Sequence, residues 1–143
     1  MSSNVTVTSE GAKFLHQTNT VGTVLKRRLK YSESINLTVV AGTEYKEGTV
    51  LGFNATTGKY VITDSGDAAT NNARAVLAQY ISADNTSTDL KVAICIEGDV
   101  DEDLLIFKNV TDTLNTVAGS GSDTYRTELI NNDIVPEKYS TIG

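Results

Sequence analysis

The stretch EGDVDEDLL, Glu97 to Leu105, carries the densest set of groups able to do chemistry: Glu97, Asp99, Asp101, Glu102 and Asp103. Carboxylates crowded in this way bind a hard cation, form a general acid–base pair, or start a structural element. An EF-hand loop requires oxygen ligands at positions 1, 3 and 5, a glycine at 6 and a glutamate at 12. Counted from Asp99, position 6 is Leu104 and position 12 is Val110; counted from Glu97, they are Glu102 and Lys108. Both registers fail, which leaves open only a cation site assembled from several loops. An acid pair needs desolvation to drive its two pKa values apart, and crowded acids favour a solvated turn. The plainer reading is structural. Gly98 ends a strand by permitting an unusual φ. Asp99 or Asp101 caps a short helix, further acids in its first turn suit the helix dipole, and Leu104 to Phe107 supply apolar contacts.

The other reactive side chains are isolated. His16 is the single histidine and lies in a polar N-terminal stretch, a poor place for a rigid nucleophile–base pair. Cys95 is the single cysteine, so no intrachain disulfide forms; within VAICI it reads as a small buried hydrophobe. No Cys/His cluster has zinc spacing, and neither a P-loop nor a dinucleotide-binding glycine pattern is present. The expectation is a protein that is not an enzyme and has no metal or cofactor.

The chain has 143 residues, enough for one domain with a single sizeable core, and a net charge of -6. That charge repels phosphate at long range, so no nucleic-acid partner is expected. No apolar run approaches the ~20 residues needed to span a bilayer, so no membrane partner is expected either. The start, MSSNVTVTSEG, lacks a basic region followed by an apolar stretch, which predicts no secretory leader.

The elements that position these groups read as short strands. Residues 1–19 are polar, with Val5 and Val7 alternating in NVTVTSE and Phe14 and Leu15 the only large apolar residues nearby. This predicts an extended arm able to add as a strand to a partner's sheet edge. Residues 20–143 form one β-rich domain. Ile35, Leu37 and Val39 alternate, and just before them KRRLK concentrates Lys26, Arg27, Arg28 and Lys30. That basic run is either a solvated strand face or a contact with an acidic surface, such as a neighbouring subunit. GTVLGFNATTGKYVIT predicts a hairpin turning at Asn54–Gly58. Val76 and Leu77 pair with Leu90, Val92, Ile94 and Ile96, and the near-continuous apolar run marks a central strand covered on both faces. SDTYRTELINN predicts a short helix capped by Ser122 or Asp123, with Tyr125 and Leu129 on one face and Asn131–Asn132 at its end. Pro136 bars a central-strand position in the tail. The sum is six to eight short strands with one or two short helices, and no βαβ alternation.

ARAVLAQYISADNTSTDLKVAICIEGDVDEDLLIF, followed after a loop by SDTYRTELINNDIVPEKYSTI, resembles the head decoration proteins of tailed bacteriophages of the lambda protein D type. The matching order is a strand after the small residues Ala75 to Ala78, a short turn, a strand, Gly98, and the apolar pair Leu104–Leu105. A short charged helix and a C-terminal β segment finish it, and the upstream hairpin fits as well. The resemblance spans about residues 48–142; the basic segment and the loop KNVTDTLNTVAGSG depart from the pattern. It implies a mainly β, β-clip-like single domain with an extended N-terminal arm. It implies a homotrimer on the outer surface of the mature icosahedral head, made in the host cytoplasm, which stabilises that head by contacting the major capsid protein. It implies that the arm joins the capsid, here Asn4, Val5, Thr6, Val7, Thr8, Phe14 and Leu15. The alternatives are another virion binding module, such as a tail or fibre subunit using loops like Asp64 to Asn72, and, further off, a β-clip trimeric enzyme.

Overall fold

The computed structural model describes residues 25–119 and 121–138. Six strands run in the order β1 (Leu25–Thr38), β2 (Val50–Asn54), β3 (Lys59–Ile62), β4 (Ala75–Leu77), β5 (Asp89–Asp101) and β6 (Ile134–Glu137). A single-turn 3-10 helix (Glu102–Leu104) and one α-helix, α1 (Tyr125–Asn131), lie between β5 and β6. The sheet order is β1-β3-β2-β4-β5, and β1 also pairs with β5, so five strands close into a barrel. The fold is mainly β, as the alternating pattern predicts, but β1 and β5 are long rather than short.

β5 is the spine. One of its edges pairs antiparallel with β1 from Asp89 to Val100. The other pairs first with β4, at Ile94 and Cys95, and then with β6, from Gly98 to Asp101. Successive side chains on a strand point to opposite faces, and here both faces are apolar. Leu37, Leu51, Ala75, Leu77, Val92 and Ile94 fill the barrel, with Tyr60 and Ile62 of β3 packed against them. Val50, Val76 and Cys95 point outward and meet Leu114, Ala118, Tyr125, Leu129 and Ile134 of the loop, helix and last strand that cover this side. The run VAICI is therefore continuous because two cores need it, as expected for a strand covered on both faces. Each fully buried aliphatic side chain contributes roughly 1.5–3 kcal/mol from area removed from water.

The hairpin forms as its sequence predicts. Phe53 lies opposite Tyr60 with ring centroids 5.2 Å apart, edge to face, and Gly58 takes φ +72 at the turn. Gly52 is required for a different reason. A Cβ there would stand 2.6 Å from the carbonyl oxygen of Asn72, whose side chain bonds both the N–H and the C=O of Phe53.

Two expectations are corrected. Gly98 does not end its strand: it takes φ 135 within β5, and the chain stays paired to Asp101 because β6 supplies a parallel partner from Ile134 onward. The α1 cap is Thr124, whose hydroxyl accepts from Thr127 N at 3.3 Å, rather than Ser122 or Asp123. Tyr125 and Leu129 are both fully buried, and Asn132 ends the helix. Pro136 lies on an outermost strand. Gly98 N donates to Asp133 O, so alternate residues of β6 face β5 and Pro136 turns its missing N–H to the open side.

Candidate functional site

The acidic run does not converge. Glu97 lies level with Lys30 across the β1–β5 ladder, with Nζ 3.3 Å from Oε1. Asp99 is fully buried, level with Arg27 of β1 and with Val135 of β6. Asp101 is 9% exposed, and its Oδ1 accepts from Asp103 N at 3.0 Å to cap the 3-10 turn. Arg126 Nη1 donates to Glu102 Oε1 at 2.9 Å, and Lys138 Nζ stands 3.2 Å from Asp103 Oδ1. The capping role expected for this stretch is present, and Asp101 fills it. The expectation of a solvated link fails for Asp99 and Asp101, which the packing of β6 and the 3-10 turn takes out of water. Among the described residues no three of His, Cys, Asp or Glu gather to hold a metal.

A second polar centre lies where the 64–72 loop meets the 107–118 loop. Asp64 Oδ1 accepts from Asn109 Nδ2 and from Gly66 N, both at 2.9 Å, and its Oδ2 accepts from Lys108 Nζ at 3.0 Å. Asp112 takes Ser65 Oγ at 2.7 Å and Asn109 Nδ2 at 3.0 Å. The amide of Asn109, then the Gly66 N–H and the Lys108 ammonium, hold the Asp64 carboxyl down at about 2. Nearby, Glu128 Oε1 accepts from Ala73 N at 2.7 Å, and the Tyr125 hydroxyl donates to Asn71 Oδ1. Phe107 stacks on Tyr125 at 5.8 Å. These bonds tie two loops to α1. Each of these carboxylates is held by donors from its own chain. From sequence, Asp64 to Asn72 stood as a polar loop that another virion binding module could use; the acidic and amide residues at its two ends were the available signal for the network.

The surface also carries an apolar groove of about 480 Å³ with Tyr45, Ile62, Ile106 and Phe107 in its walls and Glu44, Lys46 and Lys108 along it. Val40, 63% exposed, stands on its lip, and Tyr80, 57% exposed, donates its hydroxyl to Glu44 beside it. Nothing in the sequence marked this groove, because its walls come from three separate segments.

The residues singled out from sequence fall as follows. Asn4, Val5, Thr6, Val7, Thr8, Phe14, Leu15 and His16 lie outside the described residues. Lys26, Arg27, Arg28 and Lys30 are on β1, and Lys30 is paired within its own chain. Cys95 is fully buried in the outer core, and burial pushes its thiol up to about 11, which leaves it protonated and inert.

A closed five-strand barrel whose polar side chains hold its own loops is a small, mainly β single-domain protein. The family of the bacteriophage lambda head decoration protein D matches residues 14–122, and the chain belongs to that family. Its members are structural proteins of the phage head. The match takes in the N-terminal segment from residue 14 and the basic strand, which the sequence resemblance had set aside, and stops before α1 and β6, which it had included. A comparison with curated proteins found no match.

Proposed function

We propose that this protein binds the outer surface of a mature icosahedral phage head as a homotrimer and stabilises it, acting without enzymatic activity or cofactor. The observation that carries the reading is the family match over residues 14–122, which begins at Phe14 and Leu15 in the polar segment ahead of the barrel. Residues 1–19 act as an arm that reaches the major capsid protein by strand addition, and residues 20–143 form the single domain that sits above it. The contact is carried by Asn4 to Thr8 with Phe14 and Leu15. A subunit that binds only the expanded shell makes that state harder to leave, by mass action. Three arms on one trimer multiply contacts that are individually weak. Lys26, Arg27, Arg28 and Lys30 serve the contact between subunits. The net charge of -6 argues against a nucleic-acid partner, and among the described residues no helix is long and apolar enough to cross a membrane.

The test is deletion of residues 2–15 followed by binding to purified expanded heads lacking the protein. The expected result is loss of binding with the barrel still folded; full-affinity binding would sink the arm. Native mass measurement of the free protein tests the trimer, and imaging of saturated particles tests its position on the shell.

A further inference from the structure

Val40, Tyr80 and Ile106 are exposed apolar side chains that gather at the groove walled by Tyr45, Ile62 and Phe107. A contiguous apolar patch of this kind marks an interaction surface. Val110 is the most exposed large apolar side chain among the described residues, at 100%. It comes just after the groove's Lys108 in the chain, and its full exposure keeps it out of its own groove. It is also held in place. Asp112 N donates to Asn109 O at 3.0 Å, so Val110 and Thr111 form the tip of a turn. Both residues that anchor the turn are bonded to the 64–72 loop, Asn109 Nδ2 to Asp64 and Asp112 to the Ser65 hydroxyl. A preorganised apolar tip has little ordering entropy left to lose on binding. The charges are complementary as well. The loop to which the turn is tied carries Asp67, exposed to solvent. Along the groove, Lys108 is turned to Asp64 and Glu44 to Tyr80, which leaves the exposed Lys46 as the cation available to a partner.

We propose that this groove receives the Val110 turn of a second copy of the chain, with Asp67 of that copy set against Lys46. An apolar knob with an acid on its supporting loop matches an apolar groove with a cation on its rim. Knob and groove are different patches of one molecule, so the contact runs head to tail and closes into a ring. It rests on the homotrimer reading and gives that trimer an interface, in addition to the basic segment of β1.

The experiment has two readouts on the full chain. Native mass measurement over a range of concentrations compares the parent protein with Val110→Asp, Val40→Asp, Lys46→Glu, Asp67→Lys and the double variant Lys46→Glu/Asp67→Lys. Val110 and Val40 are exposed, so their replacement spares the core. Each apolar-to-acid change is expected to weaken the trimer about thirtyfold or more. Each single charge reversal is expected to weaken it less, and the double variant to restore it. The second readout is disulfide cross-linking between a Val110→Cys copy and a Val40→Cys copy, in solution and on saturated heads; Cys95 is buried and does not compete. A cross-link is expected, and its absence in both settings overturns the proposal. A trimer that Val110→Asp and Val40→Asp leave unchanged overturns this interface while the homotrimer stands. A parent protein that is monomeric both in solution and on heads overturns both. Variants that keep the trimer but no longer bind heads would assign the groove to the capsid protein and overturn the second copy as its occupant.

Discussion

The carboxylates at the end of β5 and those that join the 64–72 and 107–118 loops put the same functional group to opposite uses. At the end of β5 and in the turn after it the acids scatter: Glu97 faces Lys30, Asp101 caps the turn, Glu102 faces Arg126, and Asp103 faces Lys138, which also comes within 3.9 Å of Glu102. At the loops, Asp64 and Asp112 flank one amide. Asn109 Nδ2 donates to both, with Ser65 and Lys108 completing the set. The first group is a series of local contacts, several at the surface, where solvent and salt weaken an ion pair. The second is a connected, partly buried network, in which losing one acceptor weakens several bonds together. Crowding along the chain disperses groups in space, because a strand sends neighbours to opposite faces and a turn redirects the rest. Groups far apart in the chain converge when two loops fold over the same helix.

That contrast is open to direct attack. The largest effect is expected for Asp112→Ala, which leaves Ser65 Oγ and one side of the Asn109 amide without their acceptor. We expect a loss of about 2 kcal/mol in denaturant unfolding. Acid titration comes next. Asp64 is held at about 2 in the folded protein, below the ~3.9 of an unfolded aspartate. Its contribution is complete above about pH 4 and disappears as pH falls toward 2, because the unfolded chain takes up the proton first. Asp64→Asn should remove that window from the difference between the two stability–pH curves. The smallest effect is expected for Glu97→Gln. Its pair with Lys30 has side chains 46% and 63% exposed, and we expect a change under about 0.5 kcal/mol that shrinks further in high salt. If Glu97→Gln costs as much as Asp112→Ala, the distinction between dispersed and networked acids is wrong.

Much of the barrel was legible because its signals are local. Period-two alternation marked β5 and the second half of β1, the hairpin pattern with Gly58 at its turn marked β2 and β3, and the spacing of Tyr125 and Leu129 marked the buried face of α1. Double-sided burial was readable from VAICI, where no position is polar. The closing β1–β5 ladder was not, since no turn joins the two strands and their register is set by the filling of the barrel. Nor was the burial of Asp99. It depends on β6 lying parallel to β5, a pairing that a tight turn cannot make and that leaves no mark in the nearby sequence. The Asp64–Asp112 network and the groove at Tyr45 and Ile106 are products of the same long-range closure.

Barrel closure also sets a clock. The β2–β3 hairpin needs only its own turn and can form within microseconds. The β1–β5 ladder has to bring Leu25 beside Val100, and pairing over such a distance in the chain is slow. During that wait two long strands carry open edges, one of them bearing VAICI. Lys26 to Lys30 on one strand and the acids at the far end of the other then have a kinetic value distinct from any bond they make once folded. Like charges keep two copies of the same strand from zipping together, while opposite charges leave the correct partner acceptable.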